Sequence, residues 1–195
     1  AFAIGYDSFY NYILAQENGE EHLKDLRDAA YNLLMVPFYK AYCGMSSEPY
    51  CITVQDNFTG VCSGGMLALL ISMCDDGDHE EMIAYLMENT MKTLQITAVL
   101  LYPDGGYYES VGYSRYMTTN VTIALLGMKH SFGSYYGLDE VRGFAEYGYS
   151  LTFLQSTHTN VTYHDGSRVY VDYADVPPRE IWAYLFDDPM QAALA

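Results

Sequence analysis

Basic residues are scarce in this chain: Lys and Arg together number 9 against 25 Asp and Glu, a formal charge of -16 over 195 residues. Binding nucleic acid requires a row of cations to neutralise phosphates, so nucleic acid is excluded as a partner class. The same deficit argues against adhesion to an anionic membrane surface. Long apolar runs are also missing. The longest, Met66 to Met73, falls far short of the ~20 residues a membrane span needs, so no membrane partner is expected and the chain reads as soluble. Cysteine is sparse, and Cys43, Cys51, Cys62 and Cys74 form neither a C-x-x-C pair nor a zinc spacing. No metal or cofactor is therefore expected, while a Cys43–Cys51 bridge and buried free thiols both stay open. Charged residues make up only 17% and half the chain is hydrophobic, which excludes a disordered linker.

What is abundant is tyrosine, 21 residues beside 8 Phe and a single Trp. Phenol rings stack on sugar faces while their hydroxyls donate and accept hydrogen bonds, although most tyrosines simply fill gaps between helices with their tips in water. The apolar spacing is helical over most of the chain. From Glu20, residues Leu23, Leu26, Ala30, Leu33 and Leu34 recur at three and four, giving an amphipathic helix that Pro37 should kink or end. Met66 to Met73 is apolar all round and predicts a buried helix. Asp78 with Glu81 predicts a capping box opening a long helix through Leu94, stopped by Pro103 and Asp104-Gly105-Gly106. Further helices are expected over about Met117–Lys129 and Leu138–Gln155. Beyond them Val161, Tyr163, Val169, Val171 and Tyr173 alternate about Asp165-Gly166, the pattern of a β-hairpin. Helices joined pairwise, without βαβ alternation, exclude a doubly wound sheet and suggest a bundle or a helical toroid. Ala1 to Ile4 reads as the middle of a buried helix and Asp188 to Leu194 as the opening of another, so a longer parent protein is expected; Ala1 to Leu14 lacks a basic leader and is not read as a signal peptide.

Two segments read as loops that carry chemistry. Gln55 to Gly65 places polar groups and glycines before the apolar helix, where an amide such as Asn57 suits a carboxylate at a helix N-terminus or else merely caps it. Tyr102 to Tyr116 gathers aromatics, Glu109 and Arg115 in a Gly-rich stretch, and the Arg115 fork could clamp an acidic sugar or lie solvated at the surface. His79-Glu80-Glu81 departs from the H-E-x-x-H metal pattern and reads as a solvated helix start, and His158, His164 and Asp165 have no metal spacing.

Asp56-Asn57-Phe58 with Val61-Cys62-Ser63-Gly64-Gly65, then Pro103-Asp104-Gly105-Gly106 with Glu109 and Tyr113-Ser114-Arg115-Tyr116, then Val169 to Asp175, resembles in order and spacing the heparinase II/III-like polysaccharide lyases and related alginate lyases. The opening Ile4-Gly5-Tyr6-Asp7 resembles the family's Tyr-Asp helix. The resemblance implies a mainly α fold, with residues 1–195 forming part of one incomplete (α/α) toroid built of helical hairpins, a small β-hairpin near its C-terminal end, and a β-sandwich domain following in the parent chain. It further implies a secreted or periplasmic enzyme that cleaves an acidic, uronic-acid-containing polysaccharide by β-elimination. Tyr113 matches the catalytic tyrosine and Asn57 the group that neutralises the uronate carboxylate, with Asp56, Phe58, Tyr108, Glu109, Arg115 and Tyr116 as substrate contacts. Charge building on that carboxylate as the neighbouring proton leaves would be stabilised by the Asn57 donor, and a tyrosine can shuttle the proton to the leaving oxygen. The charge of -16 disfavours heavily sulfated substrates. Two alternatives stay open: a glycoside hydrolase using Asp104 and Glu109, and a non-catalytic carbohydrate-binding or structural toroid protein.

Overall fold

The computed structural model describes residues 1–46, 52, 56–99, 109, 111–134, 160–162, 168–170, 181, 184, 185 and 187, and its described residues are mainly helical. Helix α1 spans Phe2–Leu14 and α2 spans Gly19–Ala30; a π-helical turn, Tyr31–Met35, leads into α3, Val36–Tyr42. Three longer helices follow: α4, Asn57–Met73; α5, Glu80–Val99; and α6, Val111–Phe132. Strands β1, Asn160–Thr162, and β2, Arg168–Tyr170, pair antiparallel with Val161 opposite Val169. The residues between them, the helix expected over 138–155 and the segments carrying Cys51, Pro103, Asp104, Tyr108, His158, His164 and Asp165 lie outside the described residues.

Two layers of opposite direction emerge from the contacts. Phe58 meets Tyr116, Gly60 faces Met117, Gly64 lies against Asn120 and Val121, and Gly127 lies against Ile71, so α4 and α6 run parallel. Tyr6 reaches Asp76 beyond the end of α4, which sets α1 in the same direction. On the other layer Asp28 pairs with His79, Tyr39 packs on Tyr85 and Tyr42 bonds Thr93, so the α2–α3 unit runs parallel to α5. Helix α4 sits between two cores. Leu67 joins Leu94, Met117, Val121, Ala124, Leu125 and Met128, while Met66, Leu69, Leu70 and Met73 join Leu23, Ala30, Met35, Ile83 and Leu86. The all-round apolar pattern from Met66 to Met73 thus has apolar partners on both flanks. One strip, Gly65, Ala68 and Ser72, is not buried and lines grooves toward α1 and α6.

Several sequence expectations are corrected. Gly64-Gly65 does not end a loop, because both residues are inside α4: a Cβ on Gly64 would stand 2.8 Å from the backbone of Asn120 and Val121. Gly64 is there to let two helices touch. The regular helix gives way before Pro37 and not at it: α2 ends at Ala30, and Pro37 occupies the first turn of α3, where its missing N–H costs nothing. The wider π turn before it absorbs the ring that would strike the carbonyl of Leu33. That turn also slips the helical phase, leaving Leu33 and Leu34 exposed and burying Met35 instead. The capping box at Asp78 is absent, since α5 begins at Glu80 and Asp78 spends its carboxylate on Arg27. Helix α1 is helical as expected, but only Ala3 and Tyr6 are buried, with Ile4, Phe9 and Tyr12 exposed. Cys43 is an exposed thiol, while Cys62 and Cys74 are half-buried; the Cys43–Cys51 bridge left open by the sequence involves a residue outside the described ones.

Arg27 ties the two layers together. Its Nε donates to Asp78 Oδ2 at 2.6 Å and its guanidinium also donates to the Tyr6 hydroxyl at 3.3 Å, which in turn donates to Asp76 Oδ2 at 2.5 Å. Burial first, then the bond to Asp76, push the Tyr6 phenol well above its ordinary range. Burial alone would pull Arg27 down, but its bonds to Tyr6 and Asp78 outweigh that and hold it above its usual value. No helix among the described residues is long and apolar enough to cross a membrane.

Candidate functional site

Because α4 and α6 run parallel, their N-termini lie at the same end of the molecule. That end presents the positive poles of two helix dipoles and the first-turn N–H groups, which have no acceptor within their own helix, an environment that favours carboxylates. The chain supplies two of its own. Asp56, the N-cap of α4, accepts hydrogen bonds from Phe58 N at 2.9 Å and Thr59 N at 3.4 Å. Glu109 Oε2 accepts from the backbone N–H of Asn57 at 2.6 Å, and both Glu109 oxygens accept from Asn57 Nδ2 at 3.2 Å.

Asn57 is therefore not the cap that one sequence reading allowed; Asp56 is. Asn57 stands one residue inside the helix, only 3% exposed, with its amide turned onto a carboxylate. Its Oδ1 is buried without a hydrogen-bond partner, an unmet acceptor at the edge of the site. Glu109 joins two segments that the sequence separates by 52 residues, so the two candidate loops converge on one carboxylate–amide pair.

Aromatic rings flank this pair. Phe58, 42% exposed, and Tyr116, 49% exposed, meet edge to face with centroids 6.4 Å apart, leaving ring surface open to solvent. The Tyr113–Tyr116 segment, expected in a loop, is the first turn of α6, whose helix begins at Val111 rather than near Met117. Tyr113 is half-buried against the Leu67–Met117 cluster. Arg115 follows on the same turn; Tyr108 lies outside the described residues. The structure thus brings together Asp56, Asn57, Phe58, Glu109 and Tyr116, with Tyr113 one turn along the same helix as Tyr116.

Two features escaped sequence reasoning. The Tyr6–Arg27–Asp76–Asp78 network has no local signature, because its partners are 21 to 70 residues apart. His79, read as solvated, instead stacks on Tyr31 at 4.0 Å with 12° between the rings and bonds Asp28 at 3.2 Å. Its partners Tyr31 and Asp28 lie 48 and 51 residues away in sequence, so no local pattern marks the contact. Among the described residues no group of three His, Cys, Asp or Glu side chains gathers to hold a metal. Compared with family models, curated proteins and solved structures, the chain matches none.

Proposed function

We propose that the chain is part of the incomplete (α/α) toroid of a polysaccharide lyase that cleaves a uronic-acid-containing polysaccharide by β-elimination. The toroid reading is supported by the alternation of direction, with α1, α4 and α6 running one way and α2–α3 and α5 the other, and a β-hairpin about residues 160–170 and a following β-sandwich belong to the same proposal. What carries the functional reading is Asn57: its backbone N–H and its side-chain amide together grip a carboxylate at the positive end of a helix. In the resting chain that carboxylate belongs to Glu109. A uronate exchanging with Glu109 would meet the same two donors, and these strengthen as charge moves onto the carboxylate during removal of the adjacent proton.

In this reading Tyr113 shuttles the proton to the leaving oxygen, and Phe58 and Tyr116 hold neighbouring sugar rings. A phenol with an ordinary pKa near 10 needs a cationic neighbour to ionise at neutral pH, and Arg115 is assigned that part. The substrate is sparsely charged, because the chain's charge of -16 repels a dense polyanion. One observation favours a second reading. Glu109 already satisfies the Asn57 donors, as a permanent cap would, and that suits a carbohydrate-binding protein without turnover.

Near-ultraviolet absorbance, followed over time with a panel of uronate polysaccharides, separates these readings because elimination creates an unsaturated sugar and hydrolysis does not. Absorbance should rise with the native protein and stay flat with Tyr113→Phe, a change that keeps the ring's packing. New reducing ends without absorbance would replace the lyase with a hydrolase. Saturable binding with neither product would establish the non-catalytic reading.

A further inference from the structure

We propose that the basin enclosed by Tyr31, Tyr39, His79 and Tyr85 binds the ammonium head of an organic cation, a quaternary or methylated amine. The basin is an open depression of about 590 Å³ where the π turn and α3 face the start of α5, a full length of α4 away from Asn57. It owes nothing to the uronate site.

The lining is chemically one-sided. Three phenol rings and an imidazole form its walls, the thioether of Met82 adds a polarisable surface, and the carboxylates of Glu80 and Glu81 stand at its rim. Among the described residues no Lys or Arg lines it. Aromatic faces carry negative potential, so a cation gains from the ring surface that Tyr31, Tyr39 and Tyr85 leave to the basin and from the two carboxylates. The start of α5 brings a positive pole beside it, and Glu80 and Glu81 in the first turn of that helix answer it. The Cys43 thiol beside Tyr39 and Tyr85 pushes both phenols above their ordinary value. A metal ion is poorly served, because among the described residues no three ligating groups converge.

The backbone is built around this basin at some cost. His79 holds a left-handed conformation, φ 59°, which L residues seldom adopt, and it does so with its ring flat on Tyr31 and its Nε2 on Asp28. Tyr31 itself opens the π turn, a distortion that recurs at functional sites. Two unfavourable local geometries thus converge on one ring stack. The net charge of -16, which opposes a polyanionic substrate, draws a cation toward the chain.

Choline chloride titrated into the protein at constant ionic strength, followed by NMR chemical shifts of Tyr31, Tyr39, His79 and Tyr85, tests the proposal. Choline should saturate these shifts in the millimolar range, and its uncharged isostere 3,3-dimethylbutan-1-ol should bind about tenfold more weakly. Tyr85→Leu, which keeps an apolar side chain without the ring, and the surface pair Glu80→Gln with Glu81→Gln should each weaken choline about threefold while far-ultraviolet circular dichroism stays unchanged. Equal binding of the alcohol would mark an ordinary apolar hollow. Glucose binding in preference to choline would mark a sugar subsite, and linear, non-saturating shifts would mark mere packing of tyrosines between helices. Any of these three results overturns the proposal.

Discussion

Replacing Gly64 by Ala should destabilise the protein, whereas the same replacement at its neighbour Gly65 should stabilise it. The two residues occupy one helix and differ in what surrounds them. A Cβ on Gly64 would lie 2.8 Å from Asn120 C and Val121 N and 3.0 Å from Asn120 O, while a Cβ on Gly65 would meet nothing within 4 Å. Carbon atoms pack best at about 3.5–4.0 Å, so α6 would have to retreat by ~1 Å. The obstacle is backbone and cannot swing aside, which places the cost near the upper end of the usual overpacking range, about 3 kcal/mol. Exchanging Gly for Ala inside a helix returns about 1 kcal/mol. The net for Gly64→Ala is therefore a loss of about 2 kcal/mol, or roughly 4–8 °C in Tm for a chain of this length. For Gly65→Ala only the helix-propensity gain remains, about 1 kcal/mol or less. Urea unfolding followed by circular dichroism measures both, provided the slope against denaturant is unchanged. A Gly64→Ala variant as stable as the native protein, or a Gly65→Ala variant equally damaged, would refute the close approach of α4 to α6.

Arg27→Met should cost about 2 kcal/mol, because Asp78 and the Tyr6–Asp76 pair lose a buried, charge-assisted donor; an unchanged urea midpoint would show that the network contributes nothing. The raised Tyr6 phenol stabilises the fold fully at neutral pH, and that contribution fades as pH climbs past about 10, where the unfolded chain ionises first. Stability measured across that alkaline range should accordingly fall less steeply in Tyr6→Phe, and parallel slopes would contradict this. At the acid end the Lys24 ammonium, and then His79, hold the Asp28 carboxyl below its ordinary value. Its contribution is present above about pH 4 and is lost as pH drops through the lowered value, so Asp28→Asn should flatten the acid limb of the stability curve.

The helical class was legible because the core-facing positions of α2 and α5 recur at three and four residues, and these are the residues found buried: Leu23, Ala30, Leu86 and Leu94. Helix starts were misread for a physical reason. The first turns of α4 and α6 are rich in Asn, Thr, Ser and Gly, residues that read as loop formers, yet in α4 the Asn57 amide is used at the site and Gly60 and Gly64 are used for helix contact. Leu33 and Leu34 kept the helical spacing but not the burial, since a π turn shifts phase without leaving a trace in hydrophobic periodicity. At the candidate site both halves of the Asn57–Glu109 pair were visible in sequence as separate suspects. Their union was not, because pairing across 52 residues is a property of how α4 and α6 align, not of either segment.

The π turn has a consequence for how this chain tolerates length changes. An α-helix advances 100° per residue, so a one-residue deletion normally rotates everything downstream onto the wrong face. Between Tyr31 and Met35 the chain carries a surplus residue that the wider turn takes up locally, so removing one there would restore ordinary pitch and still leave Tyr39 toward Tyr85 and Tyr42 toward Thr93. The penalty would fall on Pro37, whose ring would meet the carbonyl of the preceding, now tighter turn. The bulge is thus the one stretch between α2 and α3 where a residue can be lost without turning the helix that follows.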